Sequence, residues 1–491
     1  MSWKLIWESL KNSEMRKRIL AVLGMLLVFR ILAHIPIPLS DPTTLKQVLE
    51  NLFNSAEAPQ LLRFIDVLSG GALANFSIML IGLGPFINAS IIIQLLTKAL
   101  PKLEALNKEG EYGRKKINQY TRLLTLPLSI VQAVGALYLV RQSASQIAGL
   151  GDITANTSLA QWVLMVSALT GGAMILMWLG EMITEKGVGN GISLLITVGI
   201  VSSLPRTILR VLSSVITPNE KLVLFGKELP IDRSGLIFAA ALLAAVIIIT
   251  MIVVKLNEAS RKLTINYAKR VQGNRTYGGV TTLLPVKLIT AGVIPIIFAV
   301  AFLSVPSFVG QLLAGNGSLR LQQIGENLVR WFANPSPQTF AAGGWQPYIY
   351  PITYFLMVFV FTYFYTSITF NSKEIAENLQ KQGGFIADVR SGNQTEKYLG
   401  RVVNRLTFFG AFSLGLLAML PIVGQVFLTS DIAIGGTGIL ILVSVALETM
   451  RQVESRALMI TYDQYTAPDF FHGDEEEPVK KRRFLRRFKK S

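Results

Sequence analysis

Residues 75–97, NFSIMLIGLGPFINASIIIQLLT, constrain the fold more than any other stretch of the chain. The run is long enough to cross a bilayer as a helix, which takes about 20 apolar residues. Yet Gly82, Gly84 and Pro85 loosen its first half, and Asn88, Ser90 and Gln94 put polar groups near mid-depth. A helix surrounded by lipid alone has no partners for such groups, whereas a helix lining a protein-walled cavity does. Ile87 and Ile91 are four residues apart and share one face. The preceding segment, 61–72, is too short to span. It carries Leu61, Arg63, Phe64, Asp66 and Leu68, and closes with Gly70, Gly71 and an alanine. A short segment leading into a cavity-lining helix predicts a pore with something folded into its mouth.

Nine further apolar runs follow this logic, at about 19–38, 120–140, 159–182, 192–212, 236–255, 284–305, 348–370, 406–426 and 432–450. The composition agrees: 51% of the 491 residues are hydrophobic and only 16% charged, a balance that excludes an ordinary soluble domain. The expected fold is an all-α polytopic membrane protein of ten transmembrane helices. An even count puts both termini on one side. Lys and Arg concentrate in the N-terminus, in loops 98–119, 256–287 and 371–401, and in the C-terminal tail. The loops at 142–157 and 427–431 hold almost none, so the positive-inside rule predicts cytoplasmic termini. The formal charge of +17 also suits anionic lipid or a ribosomal RNA surface.

Other regions read less regularly. Residues 1–18 predict an amphipathic helix on the membrane surface. Residues 213–232 predict a small hairpin on the far side, and 310–347 an interfacial or partly inserted helix. Pro295 is expected to interrupt the span at 284–305, and Arg30 to need a polar partner inside the first span. GLGPFINAS at 82–90 and AGVIPIIFA at 291–299 echo one another. Five spans plus five would make an inverted repeat with its functional site between the halves.

Enzyme signatures are missing. The chain has no Cys and two His, His34 and His472, so disulfides, thiolate metal sites and a His-pair metal site are excluded. It also lacks GxxxxGK[ST], HExxH and GxSxG. Glu181 and Glu185 form a carboxylate pair, but near Lys186 at the end of a span they read as ordinary boundary charges. No catalytic residue, metal or cofactor is expected. More informative are the isoleucines: Ile87/Ile91, Ile192/Ile196, Ile297 after the span-seven proline, and Ile441 after Gly435-Gly436. Isoleucine is common in spans, and that accounts for their number. The other reading is a stiff apolar ring at a constriction that seals by dewetting. A secondary transporter with an inverted repeat is the alternative function.

Several motifs carry a family resemblance. LSGGALANFSI, GPFINASIIIQLLT, EGEYGRKKINQYTR, ITEKGVGNGISL, INYAKRVQG, LPVKLITAGVIPIIFA and ENLQKQGGFIADVRSGNQTEKYL resemble, in this order, the SecY family of protein-conducting channel subunits, in its bacterial form. The resemblance implies two pseudo-symmetric inverted halves, 19–212 and 236–452, around an hourglass pore, joined by an external hinge loop at 213–235. It places Ile87, Ile91, Ile192, Ile196, Ile297 and Ile441 on the pore ring, and 61–72 on the plug. Asn88, Ser90, Gln94, Ile289 and Thr290 fall on the lateral gate. Arg261, Lys262, Lys269, Arg270 and Arg390 fall in the loops offered to the ribosome and the SecA motor. The implied partners are small SecE and SecG membrane subunits, SecA, the ribosome, signal peptides with their nascent chains, and anionic lipids at a basic tail, 453–491. The implied location is the plasma (inner) membrane. Two departures stand out. The loop tip reads FIADVRSG where the family has a form close to FIPGIRPG, so it loses two rigidifying prolines. Ile289 stands where the family often has Asn at the gate.

Overall fold

In the computed structural model the described residues are 13–37, 69, 72, 76–145, 158–216, 221–224, 227–267, 270–272, 275–277, 279, 281–314, 319–332, 335, 339–340, 344–427 and 430–466. Ten of the described helices have 16 or more residues, one at each predicted span. They are α1 (Ser13–Leu32), α2 (Gly84–Ala99), α4 (Glu111–Ser145), α5 (Leu159–Lys186), α6 (Gly191–Ile216), α7 (Arg233–Glu258), α8 (Ile294–Ala314), α10 (Ile349–Thr369), α12 (Asn393–Phe427) and α13 (Ser430–Thr466). Short helices α3 (Pro101–Lys108), α9 (Leu319–Phe332) and α11 (Ser372–Lys381) connect them. Among the described residues, five helical segments are long and apolar enough to cross a membrane unaided, and α2 with α3 adds a sixth, bent by 99°. Gly191–Pro205 and Ile294–Gly310 are apolar helical stretches shorter than a full span.

Local sequence sets the helix limits. Ser158 caps α5 through a reciprocal pair: its Oγ accepts from the Gln161 amide at 3.3 Å, and the Ser158 amide donates to Gln161 Oε1 at 2.8 Å. The same helix stops at Gly187, whose φ of +70° is a left-handed cap. Pro85 lies in the first turn of α2, where its missing N–H costs nothing. Residues 76–83 form turns, so the helix of the second span starts nine residues later than predicted. The first span is shifted the other way. α1 ends at Leu32, which puts Arg30 in its last turn rather than inside the span.

The seventh span differs most. Residues 284–287, predicted to begin it, belong to strand β6 (Thr281–Lys287) instead. The helix starts at Ile294, and Pro295 sits in its first turn without interrupting it. The reason lies outside the span: β6 pairs antiparallel with β3 (Ser260–Tyr267), which also pairs with β7 (Gly384–Ile386). The two long basic loops therefore join in one three-stranded sheet, an addition to the all-α expectation. Two hairpins complete the strands: β1 (Lys221–Leu224) with β2 (Lys227–Asp232), as predicted for the far side, and β4 (Arg270–Gln272) with β5 (Arg275–Tyr277). The sheet has its own apolar core of Leu263, Ile265, Val286, Leu379, Ile386, Leu399, Val402 and Val403.

The helices before residue 217 meet those after 232 along two seams. At one, α2 and α4 pack on α8; at the other, α6 packs on α7 and α13. α7 shows most of its apolar surface, with Ile237, Leu243, Ile248 and Met251 all exposed, as a lipid-facing helix must.

Candidate pore and gate

The six isoleucines singled out in the sequence all belong to, or pack against, one large apolar cluster. Ile87 and Ile91 on α2, Ile196 on α6 and Ile297 on α8 are buried, and all four belong to one apolar cluster. Ile192 on α6 and Ile441 on α13 are partly buried and pack against it. The geometry follows from the seams. α2 and α8 meet at one seam and α6 and α13 at the other, so each seam contributes three isoleucines. β-branched side chains hold few rotamers, which gives such a cluster a defined shape. Ala72, at the end of the short segment before α2, is fully buried in the same cluster, and its carbonyl accepts from the Ser77 amide at 2.9 Å. Ser69 is also buried. Leu61, Arg63, Phe64, Asp66, Leu68, Gly70 and Gly71 lie outside the described residues.

The residues expected at the gate divide. Asn88, Ser90 and Gln94 are half-buried on α2, and Gln94 Nε2 donates to Ser90 Oγ at 2.9 Å. Gln94 Oε1 is buried without a hydrogen-bond partner among the described residues, as are Thr170 Oγ1 and Tyr354 Oη. Ile289 is not on α8: it sits in the turn segment that leads into it, 4% exposed within the apolar cluster. Thr290 Oγ1 donates to the Lys287 carbonyl at 3.2 Å in the same segment. The seam itself is close. Gly84 faces Gln132 of α4, and Gly135 of α4 faces the Phe308 ring of α8.

Arg261 and Lys262 are exposed on β3, and Arg390 is exposed beyond β7. Arg270 begins β4; Lys269 lies outside the described residues. The proline-free tip closes as a tight turn in which the Val389 amide donates to the Ile386 carbonyl at 3.1 Å and Asp388 adopts φ +62°. Glu181, weighed as a carboxylate pair with Glu185, is bound elsewhere: Arg122 of α4 holds it at 2.6 Å.

Sequence reasoning missed one group. Where β6 runs into α8, Lys287 lies near Glu448 and Arg451 of α13. Partial burial pushes the Lys287 ammonium below its ordinary value; Arg451 adds to this and Glu448 opposes it. A glutamate inside the predicted span at 432–450 was the available signal.

Comparisons with known proteins agree with this architecture. The SecY family model matches residues 77–450. The protein translocase subunit SecY of Corynebacterium glutamicum is 38% identical over 463 residues, covering 93% of this chain and 98% of its own. The Thermotoga maritima subunit is 37% identical over 94% and 98%. Among solved structures, one described as a protein conducting channel aligns with a TM-score of 0.60 at 18% identity, over 91% of this chain and 93% of its own. Sec61 from a canine ribosome–channel complex aligns with a TM-score of 0.57 over the same shares. At that identity the structures speak for the fold, while the family match and the relatives speak for descent: this chain belongs to the SecY family.

Proposed function

We propose that this chain is the central subunit of a protein translocase, a passive channel that passes unfolded polypeptide across the plasma membrane and releases apolar segments sideways into lipid. The observation that supports this reading is that six isoleucines, three from each seam, share one apolar cluster. A stiff apolar constriction fits loosely around many side chains and dewets when empty. Segment 61–72 acts as the plug, anchored at Ala72, which is buried against the cluster. The seam of α2 and α4 against α8 is the lateral gate, and Asn88, Ser90, Gln94, Ile289 and Thr290 set its polarity. An apolar helix of about 20 residues leaves through it because lipid is its more stable surrounding. The β1–β2 hairpin between α6 and α7 serves as the hinge.

The basic loop charges put both termini and the three-stranded sheet on the cytoplasmic side. There Arg261, Lys262, Lys269, Arg270 and Arg390 dock a nucleotide-driven motor such as SecA, or a translating ribosome. Small membrane subunits of the SecE and SecG kind complete the complex, and the basic tail meets anionic lipid. The test is reconstitution of this chain in vesicles with those subunits, the motor and ATP. A precursor with a signal sequence becomes protected from protease if the reading is right. A precursor that stays fully digestible, with the complex correctly inserted, refutes it.

A further inference from the structure

Helix α8 forms the gate seam against α2 and α4, and Pro295 in its first turn marks its start, but that turn carries no charge of its own. Its first turn holds no acidic residue, although the exposed amides of a helix N-terminus favour a negative charge. Gly292, two residues before the helix, has a φ of +61°, and the position a Cβ would take there lies 3.7 Å from Glu448 Oε2 of α13. That carboxylate is oriented from its other side: Gln452 Nε2 donates to Glu448 Oε1 at 3.4 Å. The helix that carries it is anchored in turn. Arg451 Nη2 donates to the Asn257 carbonyl of α7 at 3.0 Å, and Asn257 Nδ2 donates to Ser444 Oγ at 2.9 Å.

The remaining groups around Glu448 also lead to α8. Lys287, at the end of β6, feels its charge. Tyr365 of α10 lies within reach of it and meets Phe298, in the second turn of α8, edge-on with centroids 6.4 Å apart. Gly410 of α12 faces the Leu288 carbonyl so closely that a Cβ would fall 2.4 Å from it. The segment between β6 and α8 thus touches α12 at Leu288 and lies beside Glu448 at Gly292.

We propose that Glu448 is a positioning residue of the gate: its carboxylate supplies from α13 the negative charge that the start of α8 lacks, and so holds the gate helix in its closed setting. This rests on the channel reading above. Glu448 touches no translocating chain in this account; it acts through α8. Removing its charge lets the start of α8 tilt, and the gate then opens for signal segments too weakly apolar to open it in the parent protein.

The test uses the assembled translocase in vesicles with two precursors, one with an intact signal and one whose apolar signal core carries a single charge. Glu448→Gln keeps the shape and removes the charge. It is expected to raise transport of the weak-signal precursor by roughly two- to thirtyfold, the span of a helix-end charge interaction, and to leave the strong-signal precursor unchanged. Glu448→Asp keeps the charge and should remain near the parent value. Gln452→Leu, which frees the carboxylate, should shift the ratio the same way by less. The chain has no cysteine, so a Cys pair at positions 135 and 308 reads gate closure directly, and its disulfide yield should fall in Glu448→Gln. An unchanged ratio and yield, or an equal loss for both precursors, overturns the proposal. Failure of the parent complex to move even the strong-signal precursor overturns the channel reading itself.

Discussion

Gly135 of α4 lies so close to Phe308 of α8 that a Cβ on the glycine would fall 1.9 Å from the ring's Cζ. The atom it would meet is the far end of a side chain that can swing, but only by moving into the seam. A methyl group there acts as a wedge between the two sides of the proposed gate.

Gly135→Ala should therefore loosen the seam, at a cost of about 1–3 kcal/mol for overpacking. Transport of precursors with weakened signals is expected to rise, with normal membrane insertion. Parent-like discrimination would show that the seam takes no part in gating.

Tyr354 of α10 is 1% exposed, belongs to the same cluster as Ile87, Ile91, Ile196 and Ile297, and buries its hydroxyl without a hydrogen-bond partner among the described residues. Tyr354→Phe removes that orphan group and keeps the ring. It should stabilise the protein by about 1 kcal/mol, read as a raised midpoint of thermal unfolding in detergent. A lowered midpoint would mean that the phenol has a partner.

The Arg122–Glu181 pair joins α4 to α5 at 2.6 Å, with the glutamate side chain 19% and the arginine 47% exposed. Partial exposure limits its contribution to about 1 kcal/mol. Arg122→Gln is expected to cost that much in denaturant unfolding. A double-mutant cycle with Glu181→Gln should return a favourable coupling; zero coupling would reduce the pair to a surface contact.

Arg390 is exposed at a turn whose backbone is held without its side chain: the Thr395 hydroxyl donates to the Arg390 carbonyl at 2.8 Å. Arg390→Glu should thus leave stability within about 0.5 kcal/mol of the parent. Motor-driven transport is expected to collapse, because a docking cation becomes a repulsive charge. Unimpaired transport would remove Arg390 from the docking surface.

The apolar runs made the ten helices legible, since runs of bilayer length have few other uses. Four of the six isoleucines were marked by i,i+4 pairing, and Ile297 and Ile441 by a nearby proline or glycine pair. Helix starts were harder to read. The 281–287 segment is apolar enough to extend a span, but pairing with β3, distant in sequence from β7, draws it into the sheet. Nor did local sequence place Ile289 ahead of α8. Glu448 and Lys287 were invisible as a group because 160 residues separate them and only the fold brings them near.

The most direct test of the channel account is crosslinking to a secretory chain arrested in transit. Photoreactive residues are placed singly at Ile87, at Ile297 and, as a lipid-facing control, at Ile248 of α7, which is 57% exposed. The account predicts adducts to the arrested chain from Ile87 and Ile297 and none from Ile248. No adduct from either ring position, or equal labelling from Ile248, would contradict it.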